Sequence, residues 1–290
     1  MRKLPSFKFF STQNNQNPQT LFWINGQSIL VVTAKKRKVH QFNTATGFIE
    51  NKVADFTQAL ASIKKICQEN NIDFGNLLVR NKAIIFIPTN SSPLERELFT
   101  KLFKQAGFFG VELINYATAF RAFLAKQDLD KGSFVYIGQE ISEIGVFDRA
   151  AQQSFIVYYS LREAIDETIY FFREKHLFEL AEKVAFALYQ EIGNQGEKFS
   201  LVVRGRNSRT KDLQTMSFLF KDVEPLASSL QRKITKELDS IVQNNLFKQI
   251  GADKWVILGD DFFKKSLDHL GEKSLRLKTE FDLMQGVEWL

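Results

Sequence analysis

Phe134-Val135-Tyr136-Ile137-Gly138-Gln139-Glu140-Ile141-Ser142-Glu143-Ile144-Gly145-Val146-Phe147 reads as a strand, a tight polar turn and a second strand. The first arm is continuously apolar and the second alternates. Gly138, Gln139 and Glu140 form the turn, and Ser142 opens the return arm. Working outward, Ser154 to Tyr159 predicts a third strand, joined by a turn near Asp148-Arg149. The spacing from Arg162 to Gln190 is helical, with Ile165, Ile169 and Phe172 on one face. Phe199 to Arg204 and Gln214 to Phe220 form a hairpin around a basic turn. Asp222 caps a long helix running through Leu226, Leu230, Ile234, Leu238 and Ile241. Trp255 to Leu258 is a buried strand, leading through Gly259-Asp260-Asp261 into a helix that ends near Leu270.

The same programme stands upstream of the opening stretch. Phe7 to Phe10 predicts a short first strand, and the Asn/Gln-rich Ser11 to Gln19 a loop. Leu21 to Ile24, Asn25-Gly26 and Ser28 to Thr33 read as a hairpin with an Asn-Gly turn. Phe56 to Gln68 is an amphipathic helix with Leu60, Ile63 and Cys67 on its stripe. Ala83 to Ile87, ended by Pro88, is a strand buried on both faces. Ser92, Pro93 and Glu95 spell a capping box for a helix that stops at Gly107. Val111 to Ile114 is the next strand, and a helix follows from Ala117 to Lys126. Hairpin, strand and helix thus recur in both halves. The pattern predicts an α/β fold of two related lobes around a cleft, residues 1–130 and 131–290.

Composition excludes several classes. The chain has 290 residues, 44% hydrophobic and 25% charged, and no run of eighteen apolar residues, so no membrane-spanning helix is expected. The first ten residues lack a secretory pattern, and a lone cysteine, Cys67, cannot form an internal disulfide. Both features point to the cytoplasm. The net charge of +6 permits weak attraction to anionic surfaces, but Lys35 to Lys38 and Arg204 to Lys211 read as solvated turns, and no nucleic-acid partner is expected. His40, His176 and His269 have no neighbours at metal-ligand spacing, so no metal site is expected. No Ser–His–Asp arrangement, Cys-x-x-Cys pair or Walker-type lysine loop is present. The 29 phenylalanines speak for bulky cores rather than catalysis.

In order and spacing the chain resembles the bacterial actin homologue MreB, the rod-shape-determining family. Leu201 to Asn207, with Thr210 to Thr215, is similar to that family's VRGRD-x-x-TG-x-P hairpin. Ile84 to Glu97 resembles its strand–Pro–Ser–x–x–x–x–Glu–Arg segment, Gln105 to Gly107 its AGA, and Leu113-Ile114 the start of its LIEEPMAAAIGA. Asp166, Glu167 and Ile169 fit its GGDELDEAI helix, Glu191 to Gly193 its EEIKIEIG, and Thr20 to Gly26 its T-LVYVKG hairpin. The resemblance implies an actin-like two-lobed fold of the ribonuclease-H-like ATPase superfamily. Between residues 33 and 55 the chain is shorter than the family, which implies a cut-down outer subdomain.

The resemblance also implies a nucleotide site, and the departures from the family fall there. Its first phosphate loop, Asp-Leu-Gly-Thr, corresponds by spacing to Asn14, Asn15, Gln16 and Asn17. Its second, Asp-Ile-Gly-Gly-Gly-Thr-Thr, corresponds to the opening stretch. There Tyr136 stands for the Asp, Gly138 alone remains of the glycines, Gln139 and Glu140 replace the others, and Ser142 is the one hydroxyl left. A carboxylate at Glu140 repels a phosphate. The water-positioning Glu-Glu-Pro is Asn115-Tyr116-Ala117, the adenosine-side Gly-Gly-Gly is Gly259-Asp260-Asp261, and the nucleotide-facing Glu-Glu-Ile-Lys is Phe186 to Tyr189. Asn14, Gln16, Asn17, Gly138, Gln139, Glu140, Ser142, Gly259 and Asp260 are therefore relic nucleotide positions. Phosphoryl transfer depends on metal, positioning and backbone donors. The expected protein is an actin-like scaffold without ATP hydrolysis and without a cofactor; ATP and magnesium would belong to a site that still functions. Self-association or another actin homologue is the expected partner. The alternatives are a divergent ATPase and a membrane-recruited assembly factor of the cell-division or pilus type. Arg2, Lys3 and Lys8, interleaved with Leu4, Phe7, Phe9 and Phe10, could meet the inner face of the membrane, against the plainer reading of Phe7 to Phe10 as a core strand.

Overall fold

The computed structural model describes residues 19–72 except 27, 34–37 and 43–44, then 74, 81–148, 152–157, 159–195, 198, 200–243, 254–259, 267, 274–277, 279–280 and 282–284. The expected strand Phe7–Phe10, the basic membrane-facing segment, Asn14–Asn17, Asp260 and the helix toward Leu270 lie outside these residues.

Two five-stranded sheets carry the fold, and they have the same topology. The first holds β1 (Gln19–Asn25), β2 (Ser28–Thr33), β3 (Lys38–Phe42), β6 (Lys82–Ile87) and β7 (Gly110–Asn115), in the order β3-β2-β1-β6-β7. The second holds β8 (Gly132–Ile137), β9 (Ser142–Phe147), β10 (Gln152–Val157), β14 (Trp255–Leu258) and β15 (Ser274–Leu277), in the order β10-β9-β8-β14-β15. In each, an antiparallel three-strand meander joins two parallel strands. Parallel strands need crossovers. In the first sheet α1 (Phe56–Glu69) precedes β6 and α2 (Pro93–Ala106) links β6 to β7. α3 (Tyr116–Ala125) leads from the first sheet to the second.

The described residues build three cores. Phe22, Ile24, Ile63, Ile85 and Phe103 belong to one beneath α1 and α2. Val135, Ile144, Phe172, Leu188 and Leu230 belong to another, beneath α4 (Leu161–His176), α5 (Glu182–Gln195) and α6 (Phe220–Val242). The third lies between the sheets. Leu21, Trp23, Ile84 and Phe86 from the first meet Phe134, Tyr136, Val256 and Leu258 from the second, with α3, Leu283 and Met284 filling the gap. Strand alternation sends odd residues of β1 and even residues of β8 to this shared core. Cys67 is buried, and burial pushes its thiol up to about 12, as befits a packing residue.

Local signals behave as their chemistry dictates. Ser92 accepts from the Glu95 N–H and Glu95 reaches back to Ser92, closing the capping box, while Gly107 ends α2 at φ 121°. Three expectations need correction. The hairpin of β1 and β2 closes on the pair Asn25–Ser28, so glycine takes the first loop position and Asn25 is still strand. The helical stretch from Arg162 breaks at Leu177, in the left-handed region at φ 53°, and a short strand β11 (Phe178–Glu179) intervenes before α5. Asp222 is the third residue of α6, and its carboxylate accepts from the Leu219 N–H at 2.8 Å. β12 (Ser200–Asn207) and β13 (Leu213–Leu219) form the basic-turn hairpin as expected. Among the described residues between β3 and α1 the strands are β4 (Phe48–Ile49) and β5 (Lys52–Val53), two residues each.

Candidate functional site

The repeated topology places two turns face to face. Trp23 is the last residue of β1 paired with β6, opposite Phe86, and Tyr136 the last of β8 paired with β14, opposite Leu258. Both point into the shared core, so they are equivalent positions of the two halves. Each is followed by a turn, Asn25–Ser28 in the first half and Gly138–Ile141 in the second.

The two aromatic rings meet. The Trp23 indole N–H donates to the Tyr136 phenol at 3.0 Å, with ring centroids 5.4 Å apart and edge-on. Tyr116, from the start of α3, stacks on Trp23 at 4.6 Å and 9° and meets Tyr136 edge-on at 4.9 Å. All three rings are fully buried. Burial foremost, then the neighbouring carboxylates and phenol, raises both tyrosines well above the ordinary phenol range, so they stay protonated.

Around this stack the backbone donors that would serve an anion are already engaged. Gln139 N–H donates to the Asn25 side-chain oxygen at 2.6 Å, and Gly26 N–H to that of Asn51 at 2.5 Å. Gly138 N–H bonds Ile141 O at 3.1 Å within its own turn. The first turn of α4 is spent likewise, with Leu161 N–H on Gly138 O at 3.0 Å, Arg162 N–H on Gln139 O at 2.8 Å and Glu163 N–H on Ser160 Oγ at 3.3 Å. A helix N-terminus attracts anions through such free N–H groups, and these are occupied.

Space is filled as well as bonds. A Cβ on Gly26 would lie 3.0 Å from the Gln139 side chain and 3.1 Å from that of Glu140, and one on Gly138 only 2.4 Å from Ile141 O. Glu140 accepts from the Glu50 N–H, so its carboxylate sits on a backbone donor of the short β4–β5 hairpin. Asn51, the next residue, is 1% exposed and donates to the Tyr116 phenol at 3.1 Å, while Tyr116 donates to Ile24 O. On the far side Glu143, fully buried, accepts from the Thr89 N–H at 3.1 Å and so ties β9 to the segment after β6. Burial raises its pKa, and the hydrogen bonds from Thr89 oppose that rise. Asn115 is the N-cap of α3, accepting from Thr118 N–H at 2.7 Å.

Of the positions expected from sequence, Gly138, Gln139 and Glu140 come together at this junction. Ser142 pairs with Ile137 at its edge and is buried. Gly259 packs near Ile137, where an added Cβ would stand 3.1 Å from the isoleucine's own. Asn14, Gln16, Asn17 and Asp260 lie outside the described residues; the turn that faces Gly138–Ile141 is Asn25–Ser28. Sequence reasoning missed Trp23, Asn25 and Asn51. Trp23 was open to discovery, because it precedes a turn in the same way as Tyr136.

Beyond the filled junction the cleft stays open. A cavity of about 630 Å³ is lined by Ser28, Gln139, Glu140, Arg162, Lys183 and Phe186, among others. Arg162 is engaged there with Glu182 at 2.8 Å and Asp166 at 3.4 Å. Leu188 and Tyr189 turn into the core, leaving Phe186 and Lys183 as the cavity face of α5. Among the described residues no three His, Cys, Asp or Glu side chains gather to hold a metal ion, and no helix is long and apolar enough to cross a membrane.

No family model and no curated protein matches the chain in sequence. Solved structures do match in shape. The crystal structure of MreB 5 of Spiroplasma citri bound to AMPPNP superposes with a TM-score of 0.76 at 13% identity, covering 95% of this chain and 96% of that one. The same protein bound to ADP gives 0.73 at 13% identity, over 94% and 95%. The MamK double helical filament gives 0.72 at 10% identity, over 93% and 98%. The fold is therefore the actin-like two-lobed one, as the sequence resemblance implied.

Proposed function

We propose that this protein is an MreB-type actin-like scaffold of the bacterial cytoskeleton, acting in cell shape, whose cleft neither binds ATP tightly nor hydrolyses it. One observation carries the second half of that reading: the N–H groups of Gly26, Gly138 and Gln139 already bond protein oxygens, around a buried Trp23–Tyr116–Tyr136 stack. In-line phosphoryl transfer needs metal, in-line positioning and free donors. Losing one such element typically lowers the rate about a hundredfold or more. A phosphate chain entering here would have to displace Asn51 and bring its charge against Glu140.

The scaffold half is supported by the shared fold and by the filament formed by MamK. The proposed partners are further copies of this chain or another actin homologue, in the cytoplasm and at the inner face of the membrane, with residues 1–130 and 131–290 as the two lobes. The test is sedimentation and negative-stain electron microscopy of the purified chain with and without magnesium-ATP, alongside phosphate release. Filaments or co-filaments whose yield ignores ATP, with no release above background, are expected. ATP-dependent assembly with turnover would overturn the reading.

A second reading has its own observation. The open cavity beside Phe186 and Lys183 lies within the volume range of small-molecule sites. A divergent ATPase would seat its base there and route its phosphates past Lys183 rather than between the two turns.

A further inference from the structure

We propose that the Glu50–Asn51 turn is an internal ligand of the cleft, a peptide turn that takes the place of a diffusible one at Gly26 and adds a contact to the second lobe at Glu140. The inference rests on the reading that this cleft takes no nucleotide, and it assigns the contacts that replace one.

The turn is the tip of a short hairpin. β4 and β5 pair Phe48 with Val53 and Ile49 with Lys52, which leaves a two-residue loop. Both loop residues are left-handed, Glu50 at φ 49° and Asn51 at φ 56°. Asparagine tolerates that region and glutamate does so poorly. Positive φ at both positions is what a two-residue hairpin loop of type I′ uses, and the contacts of the loop lie beyond it.

These contacts are three hydrogen bonds to three separate elements. The Asn51 carboxamide oxygen takes the Gly26 N–H at the first turn, and its amide donates to Tyr116 on α3. The Glu50 N–H binds the Glu140 carboxylate on the turn of the second sheet. The Asn51 oxygen on the Gly26 N–H takes the role that a phosphate oxygen fills where such turns bind anions, whereas at Glu140 the hairpin is the donor. The base of the hairpin is fixed too. Gly47 O accepts from Ala54 and Asp55 at 2.9 and 3.1 Å, a Cβ on Gly47 would lie 2.2 Å from Ala59 N, and Lys52 pairs with Glu95 at 3.2 Å.

A ligand shifts a two-state protein only by its difference in affinity for the two states. A tethered ligand acts at an effective concentration that never falls, so the state it prefers is always populated. In this chain the Glu50–Glu140 bond joins the Gln139–Asn25 and Trp23–Tyr136 bonds in tying the lobes, and none of them awaits a ligand.

Asn51→Gly isolates the effect, because glycine accepts φ 56° while the carboxamide is lost. Hydrogen exchange of the full-length protein without nucleotide is compared between wild type, Asn51→Gly and Glu140→Ala. Backbone amides at 22–30 should exchange at least tenfold faster in Asn51→Gly, and those at 48–53 and 134–142 in Glu140→Ala, with the cores beneath α1 and α4 unchanged. Wild-type rates in both variants, or acceleration spread evenly over the molecule, would overturn the proposal. Adding magnesium-ATP to the wild type separates the two claims. A change in exchange there refutes the nucleotide-free reading, while the nucleotide-free comparison still decides the role of the turn.

Discussion

The two ends of the cleft are made of the same elements and finished in opposite ways. At one end Trp23, Asn25, Asn51, Tyr116 and Tyr136 leave neither space nor a free N–H at Gly26 or Gln139. At the other, the same two turns, through Ser28, Gln139 and Glu140, border an open cavity of about 630 Å³ together with Lys183 and Phe186 from α5. Side chains at facing turns can complete each other's hydrogen bonds or leave them for a ligand. At the sealed end Asn25 and Asn51 complete those of Gln139 and Gly26.

Substitutions along the cleft can break that contrast. The largest effect belongs to Trp23→Ala, which removes a fully buried ring from two stacks and leaves the Tyr136 phenol without its donor. It should cost about 3–5 kcal/mol in urea unfolding. A loss below about 1 kcal/mol would mean that the stack is not the core of the junction. Tyr136→Phe keeps the ring and deletes the acceptor for the indole N–H, so about 1 kcal/mol is expected by the same measurement.

Glu143 sharpens the contrast through pH. Its folded pKa is raised above the ordinary 4.5, mainly by burial, so the folded state holds its proton more tightly than the unfolded chain does. Its contribution is therefore largest at low pH and declines as pH rises from about 4.5 through the folded pKa. Glu143→Gln can still accept from the Thr89 N–H and should flatten that decline in unfolding curves between pH 4 and 8. An unchanged slope would place the pH dependence elsewhere. The smallest effect is expected at the open end, where Lys183→Ala should change stability by under about 0.5 kcal/mol, as exposed substitutions do. A larger loss would show that this end is structured as tightly as the other.

Most of the fold was legible because its signals are local. Pro88 ending a continuous apolar run, Ser92 with Glu95, and the alternation after Gly138 each fix an element within a few residues. The break at Leu177 was not legible, since a leucine in the left-handed region has no sequence mark. Nor was β15, whose Ser-Leu-Arg-Leu is too short to stand out. At the site, the replacement of expected phosphate-loop residues at 136–140 could be read, but not its consequence. Glu50 bonds a residue 90 positions away and Asn51 one 65 away, contacts that only the folded lobes create. Glu140 illustrates the gap. Its charge could be read from the sequence, while its partner, a backbone N–H of a two-residue loop, was invisible there.

The central claim is that the cleft's anion-binding end is filled by the chain itself. Isothermal titration of the full-length protein with AMPPNP and magnesium tests it most directly, since a non-hydrolysable nucleotide separates binding from turnover. No saturable heat at micromolar concentrations is expected. A single site with a micromolar or tighter Kd would contradict the claim.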